Sequence, residues 1–438
     1  MTKFEDFIQQ KLVPVAGRLG SNRFLIAIRD GITYAMPLIL IGSFLMVIAS
    51  LPFPGWEAWL GEIGVSTYLW KGVDSSFNLI ALVAAFGISY SLAKQYKADG
   101  ISAGIINISA FLTVTPFTVP FVDESGKALG EVAGIAPSYL SSGGLFVAIV
   151  LGLVNGYAYQ WFMKKDIRIK MPEGVPPAVS KSFSAIIPGA VIIVFWLAVY
   201  AFLDHFSLPN VHDIVKSVLG VPFGLLGSTL FGNFIIVLLN GFLWFCGVHG
   251  GNVLNNPIMK PIWLSNLTEN MAAHKAGQEL PHVFTSVFMD NFVFIGGAGA
   301  TIGLVLALAW LARRRKASQQ AKVLSPLTLI PGFFNINEPT MFGLPVVLNL
   351  LTVIPFVLAP VMNLFVAYFA FASGIVPGTY ADPGWTMPPV ISGFLATGSW
   401  QASVLQLVLI ILDILLYLPF IINVERRWQA SEQTKNEG

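Results

Sequence analysis

The sequence predicts an all-α polytopic membrane protein that crosses the bilayer about ten times. Charged residues make up only 11% of its 438 positions and hydrophobic residues 55%, whereas a soluble domain carries about 25% charged residues. Mean hydropathy is +0.72. The apolar residues gather into runs near the roughly 20 residues that a helix needs to span a hydrocarbon core. These runs lack the alternation of barrel strands, whose segments are about ten residues long.

Taken in order, residues 1–30 form a charged N-terminal arm, and no cleavable leader is expected in it. Within the arm, Phe4, Phe7, Ile8, Leu12 and Val15 fall on a helical stripe suited to lying on a membrane surface. Clear spans are predicted near 32–51, 76–93, 101–121, 143–163, 185–203, 223–246, 293–312, 346–372 and 396–422. A Pro-rich connection, 166–181, separates the early spans from the later ones. This gives an N-terminal transmembrane domain at 31–204, a C-terminal domain at 205–425 and a tail at 426–438.

Lysine and arginine set the orientation, because short cytoplasmic loops carry the excess. Alternate loops hold twenty of these residues and the opposite loops only Lys71, Lys127 and Lys216. Both termini are therefore expected in the cytoplasm. Parity then demands one more crossing. Six spans return residue 247 to the cytoplasmic side, yet span 293–312 must also end there, at Arg313. A tenth crossing is predicted inside 247–292, a stretch broken by Pro257, Pro261 and Pro281. Polar, irregular backbone at membrane depth is tolerated where it lines a cavity. A second broken stretch, 324–345, is apolar at both ends and carries Asn335, Asn337 and Glu338 between prolines. It reads as a re-entrant hairpin, and interrupted segments of this kind point to a transporter's binding site.

Several classes of function are disfavoured. A net charge of +2 gives no electrostatic case for nucleic acid. The single cysteine, Cys246, precludes a disulfide within the chain. No nucleotide-binding loop or zinc-spaced set of His and Cys is present, so no metal or cofactor is expected.

The polar residues of the broken stretches are the candidate site. A carboxylate at membrane depth costs several kcal/mol unless it is paired, protonated or solvated by a cavity, and desolvation makes it a stronger base. Glu338 is thus the first candidate, although a helix N-cap role before Pro339 would suit it too. His249 stands among Gly247, Gly250 and Gly251, which leave its backbone open to a ligand. Asp290 and Asn291 suit sugar hydroxyls or a helix cap. Trp244 and Trp385 suit sugar stacking or the interfacial belt. Asn337, Gly296 and Gly297 complete the candidate substrate-binding set.

The stretches WFCGVHGG (244–251), DNFVFIGGAGAT (290–301), FNINEPTMFGLP and GWTMPP (384–389) occur here in one chain, together with ISAFLTVTP (108–116) and PPAVSKSFSAIIPG. In this order they resemble the membrane-embedded IIC component of the bacterial sugar phosphotransferase system, within it the lactose/cellobiose/diacetylchitobiose family. The resemblance implies a homodimer of ten-helix subunits in the bacterial cytoplasmic membrane. The N-terminal domain would make the dimer contact, and two re-entrant hairpins would lie in the C-terminal domain. It implies uptake of a β-linked disaccharide whose C6 hydroxyl is phosphorylated by the phosphocysteine of a separate IIB protein, itself supplied by IIA. Glu338 maps onto the glutamate that meets that hydroxyl and His249 onto the histidine beside it, while Trp244 and Trp385 map onto aromatic positions near the sugar. The alternative function is an ion-coupled sugar symporter without phosphorylation.

Overall fold

The computed structural model describes residues 10–11, 13–51, 53–122, 128–344 and 349–437. Residues 3–9 and Leu12 of the amphipathic stripe, Lys127 and Pro345 lie outside the described residues; the part of the stripe that is described forms a helix, Val13–Gly20. The chain is an α-helical polytopic membrane protein. Among the described residues six helices are long and apolar enough to cross a bilayer, including Arg23–Ala49, Val65–Gln95 and Pro177–His205, and a seventh candidate is a pair bent by 81°.

The first bundle contains α1 (Arg23–Thr33), α2 (Met36–Ala49), α3 (Val65–Phe77), α4 (Ile80–Gln95), α5 (Gly100–Thr113), α6 (Leu145–Lys164) and α7 (Ile186–His205). Helices cannot associate by the hydrophobic effect inside lipid, so small residues and polar links hold them. Gly31 lets α1 lie directly on α4, where a Cβ would stand 2.3 Å from Ile88. A buried hydrogen-bond chain then crosses four helices. Asn107 donates to the Ala85 carbonyl at 2.7 Å, Asn155 to Asn107 at 2.8 Å, and Trp196 to Asn155 at 2.7 Å.

The second bundle is built from α8 (Leu230–Phe245), α9 (Lys260–Lys275), α10 (Ile302–Ala312), α11 (Gln319–Phe333), α12 (Glu338–Gly343), α13 (Leu350–Ala372) and α14 (Trp400–Glu437). Asn233 fixes the 81° corner before α8 by donating to the carbonyls of Gly227 and Thr229 at 2.8 and 2.9 Å.

The structure corrects the sequence reading in four places. The first span begins at Arg23, inside the residues assigned to the arm; Arg29 is carried into it because it pairs with Asp30 at 2.6 Å. Span 101–121 stops at Thr113, and an antiparallel hairpin follows, β1 (Thr118–Val122) with β2 (Ala128–Ala133). Pro116 ends the helix and the β-branched TVPFV favours a strand. Span 293–312 is helical only from Ile302. Before it, Gly296, Gly297 and Gly299 have φ of +83°, +95° and +84°, a conformation that breaks the helix. Conversely, the proline-containing stretch after His249 is continuous. A π-helix, Gly251–Met259, carries Pro257 and runs straight into α9, where Pro261 takes a first-turn position.

α1 packs along this π-helix. That contact brings the first bundle against the polar stretches of the second.

Candidate functional site

A chamber of about 240 Å³ lies where these segments meet. Its wall includes His249, Asn256, Lys260, Asp290, Asn337, Glu338 and Trp385. A narrower extension of about 60 Å³ continues past Asn256 and Lys260 to Arg29 and Thr33 of α1.

His249 is positioned by the end of α8. Gly247, at φ +78°, turns the chain out of the helix, and its N–H donates to the Trp244 carbonyl at 3.0 Å. Gly250 then passes so close to α8 that a Cβ would stand 2.4 Å from the Asn240 side chain. The His249 Nδ1 accepts the Asn252 N–H at 3.2 Å. In the neutral ring an accepting Nδ1 leaves the proton on Nε2, so the free edge is a donor. The Trp244 ring backs the imidazole at a centroid distance of 4.3 Å.

Glu338 is positioned by a helix–turn–helix tip between α11 and α12. Asn335 takes a left-handed conformation at φ +59°, which asparagine tolerates. Its amide is a double clamp: Oδ1 accepts the Gly296 N–H at 2.6 Å, and Nδ2 donates to the Trp385 carbonyl at 2.5 Å. Asn337 Nδ2 donates to the Ala298 carbonyl at 2.8 Å. The NINE tip and the glycine turn are thereby interlocked. Gly297 is required there, because a Cβ would stand 2.8 Å from the Asn337 side chain. Glu338 follows as the first residue of α12 and is exposed on the chamber wall. Of the states open to a carboxylate at membrane depth, this is the cavity-facing one: the turn lifts Glu338 out of the packed helices into the polar space.

A charged group occupies the side toward α1. Lys260 Nζ lies 3.7 Å from Asp290 Oδ2, and both line the chamber and its extension. Asp382 accepts the Gly384 N–H at 2.8 Å and lines the extension.

The structure thus gathers His249, Asp290, Gly297, Asn337, Glu338 and Trp385 of the sequence-derived set onto one wall. It sets the other three behind it. Trp244 is 5% exposed and supports His249, and Gly296 holds the clamp. Asn291 is buried, its side chain without a hydrogen-bond partner among the described residues, while its carbonyl accepts from Gln406 at 2.8 Å. Sequence reasoning passed over Asn335, Lys260 and Asp382 as site residues. Asp382 lies three residues before Trp385, a spacing that offered a signal; nothing local marked Lys260. Among the described residues no group of three His, Cys, Asp or Glu side chains is placed to hold a metal ion.

Comparison with known proteins places these features in context. Residues 29–360 match the family "Phosphotransferase system, EIIC". The chain is 41% identical to the lichenan permease IIC component of Bacillus subtilis strain 168, covering 96% of this chain and 93% of that one. It is 42% identical to the cellobiose-specific EIIC component of Geobacillus stearothermophilus, covering 99% and 97%. It is 30% identical to the lactose-specific EIICB component of Lacticaseibacillus casei, covering 98% of this chain and 72% of that one. The fold superposes on the transporter ChbC, the IIC component of an N,N'-diacetylchitobiose-specific phosphotransferase system, with a TM-score of 0.91 at 37% identity, covering 98% and 99% of the two chains.

Proposed function

The chain belongs to the phosphotransferase-system EIIC family of the lactose/cellobiose group, and from that premise we propose that it takes up a β-linked disaccharide and presents its C6 hydroxyl for phosphorylation. The observation that carries the reading is the juxtaposition of His249, Glu338 and Trp385 on one polar chamber, from segments far apart in sequence. Relatives named for lichenan, cellobiose and N,N'-diacetylchitobiose support the β-linked class.

In this mechanism the Trp385 ring gives the apolar face of a sugar a stacking surface, and Asn337 and Asp290 bind hydroxyls. Glu338 removes the C6 proton as that oxygen attacks phosphorus; a P–O bond forms and the P–S bond of a phosphocysteine breaks. The thiolate leaves on the partner protein. Proton transfer by a positioned base is worth about 10²–10⁴-fold. The His249 Nε2–H faces the growing charge on the transferring group, where preorganised donors act most strongly. The product is an anion and is trapped inside.

The donor is a separate phosphorylated IIB protein, recharged by IIA. Cys246, the only cysteine, is buried at the end of α8 and unsuited to that role. A relative whose name joins the C and B components in one chain supports this pairing. Ten crossings with cytoplasmic termini follow if the continuous helical run through Gly251–Met259 and α9 spans the membrane and α10 with the turn before it forms the next crossing. Segment 319–343 then dips in from the cytoplasmic side and returns, and residues 31–204 supply the contact between two subunits.

Glu338→Gln tests the role of the base. It keeps shape and hydrogen bonding, so sugar binding is expected to persist while phosphorylation by phospho-IIB falls at least a hundredfold. Equal phosphorylation by variant and parent would refute the assignment.

A further inference from the structure

Away from the chamber, the cytoplasmic ends of α10 and α14 enclose a second cavity of about 410 Å³. Its rim carries Arg314, Arg315, Lys316 and Arg426, all exposed, and its floor is formed by Leu311 and Ile422. Among the described residues none of these four cations has a side-chain hydrogen bond or an ion pair. The one carboxylate in the cavity wall, Glu425, is committed elsewhere. It is 4% exposed and accepts from the Ser318 N–H and hydroxyl at 2.6 Å each and from Gln429 at 2.9 Å. The cavity therefore sets four cations against one carboxylate, a net excess of positive charge with no ion pair among the described residues.

We propose that this cavity binds the headgroup of an anionic phospholipid, with the phosphate held by the guanidinium groups of Arg314, Arg315 and Arg426. Arginine matches phosphate oxygens in geometry, and basic pockets between membrane helices on the cytoplasmic side suit such headgroups. Two observations select a lipid over a soluble anionic partner. The floor is apolar, formed by Leu311 and Ile422 on two helices that continue into the membrane, which sets the cavity at the membrane surface. Trp310, one turn earlier on α10, is 49% exposed and lies under the Arg314 guanidinium, 3.8 Å from its ring centroid. An exposed tryptophan capped by arginine at a helix end marks the headgroup level of a bilayer. The cavity also sits at the opposite end of α11 from Glu338, and 15 helical residues separate them by about 22 Å. That is too far for the cavity to hold a phosphoryl group on its way to the sugar.

Native mass spectrometry of the full chain in detergent, with equimolar phosphatidylglycerol and phosphatidylcholine, tests the site. The parent is expected to retain phosphatidylglycerol selectively. The variant Arg314→Gln/Arg315→Gln/Arg426→Gln is expected to lose that retention about a hundredfold, since each cation near an anionic headgroup contributes about fivefold. Its sugar binding should be unchanged, which shows that it is folded. Equal retention of the two lipids by the parent, or undiminished phosphatidylglycerol retention by the variant, would overturn the proposal. So would displacement of the lipid by millimolar inorganic phosphate, or a variant that loses phospho-IIB binding and keeps the lipid.

Discussion

His249 and Glu338 arrive in the chamber by different routes, and each route makes a separable prediction. His249 is held by what its ring accepts, the Asn252 N–H on Nδ1, and in the proposed mechanism works through what its other edge donates. A glutamine amide can replace that donor, whereas alanine cannot. His249→Ala is expected to lower phosphoryl transfer by about 10²–10³-fold, the usual loss for one preorganised donor, and to weaken sugar binding. His249→Gln should recover a substantial part of both in the same phosphorylation and binding assays; no difference between the two variants would contradict a donor role. Asn335 lines the chamber without a part in the proposed chemistry, and joins the hairpin tip to the glycine turn and to the Trp385 carbonyl. Asn335→Ala leaves a buried N–H and a carbonyl unpaired, at a cost of about 1–3 kcal/mol each. The expected result is a lowered Tm together with weakened sugar binding; an unchanged Tm would mean that the clamp carries no strain-bearing role.

At the scale of elements, the two broken stretches were legible because prolines and polar residues interrupt long apolar runs. Their internal shapes were less so. Pro257 looked like a break, yet the wider turn of a π-helix accommodates it and the chain runs on into α9. The glycines at 296, 297 and 299 lay inside an apparent span, because hydropathy registers their neighbours and not their positive φ. The interlock of this turn with the NINE tip depends on a partner about forty residues away, which no local pattern reports. Gly297→Ala tests the interlock. It places a Cβ 2.8 Å from Asn337 at a φ of +95°, and overpacking of this kind costs about 1–3 kcal/mol. Sugar affinity is expected to fall with little change in the first bundle; wild-type affinity would show that the turn can relax freely.

For the whole molecule, composition and the length of the apolar runs were enough to read a polytopic helical membrane protein, and the lysine and arginine parity is what leads to the further crossing proposed through α9. α9 is weak in hydropathy because its polar side chains are spent inside the protein: Asn266 donates to the Phe284 carbonyl, Asn270 to those of His282 and Thr379, and Thr268 to the Leu264 carbonyl of its own helix. Lys260 was illegible because no local pattern marks it, although it lines both the chamber and its extension, while Asp382 lines the extension that α1 closes and was hinted at only by its spacing to Trp385. Single-cysteine labelling in a Cys246→Ser background checks the ten-crossing proposal. Position 277 is expected to react from outside intact cells and position 316 only after permeabilisation; labelling of both from one side would refute it. The central claim is group translocation through the chamber that holds Glu338. Its most direct test is the chemical form of the sugar recovered from vesicles containing this chain, phospho-IIB and labelled cellobiose or N,N'-diacetylchitobiose outside. The account predicts sugar 6-phosphate inside and none when Glu338→Gln replaces the parent; accumulation of free, unmodified sugar driven by an ion gradient would contradict it.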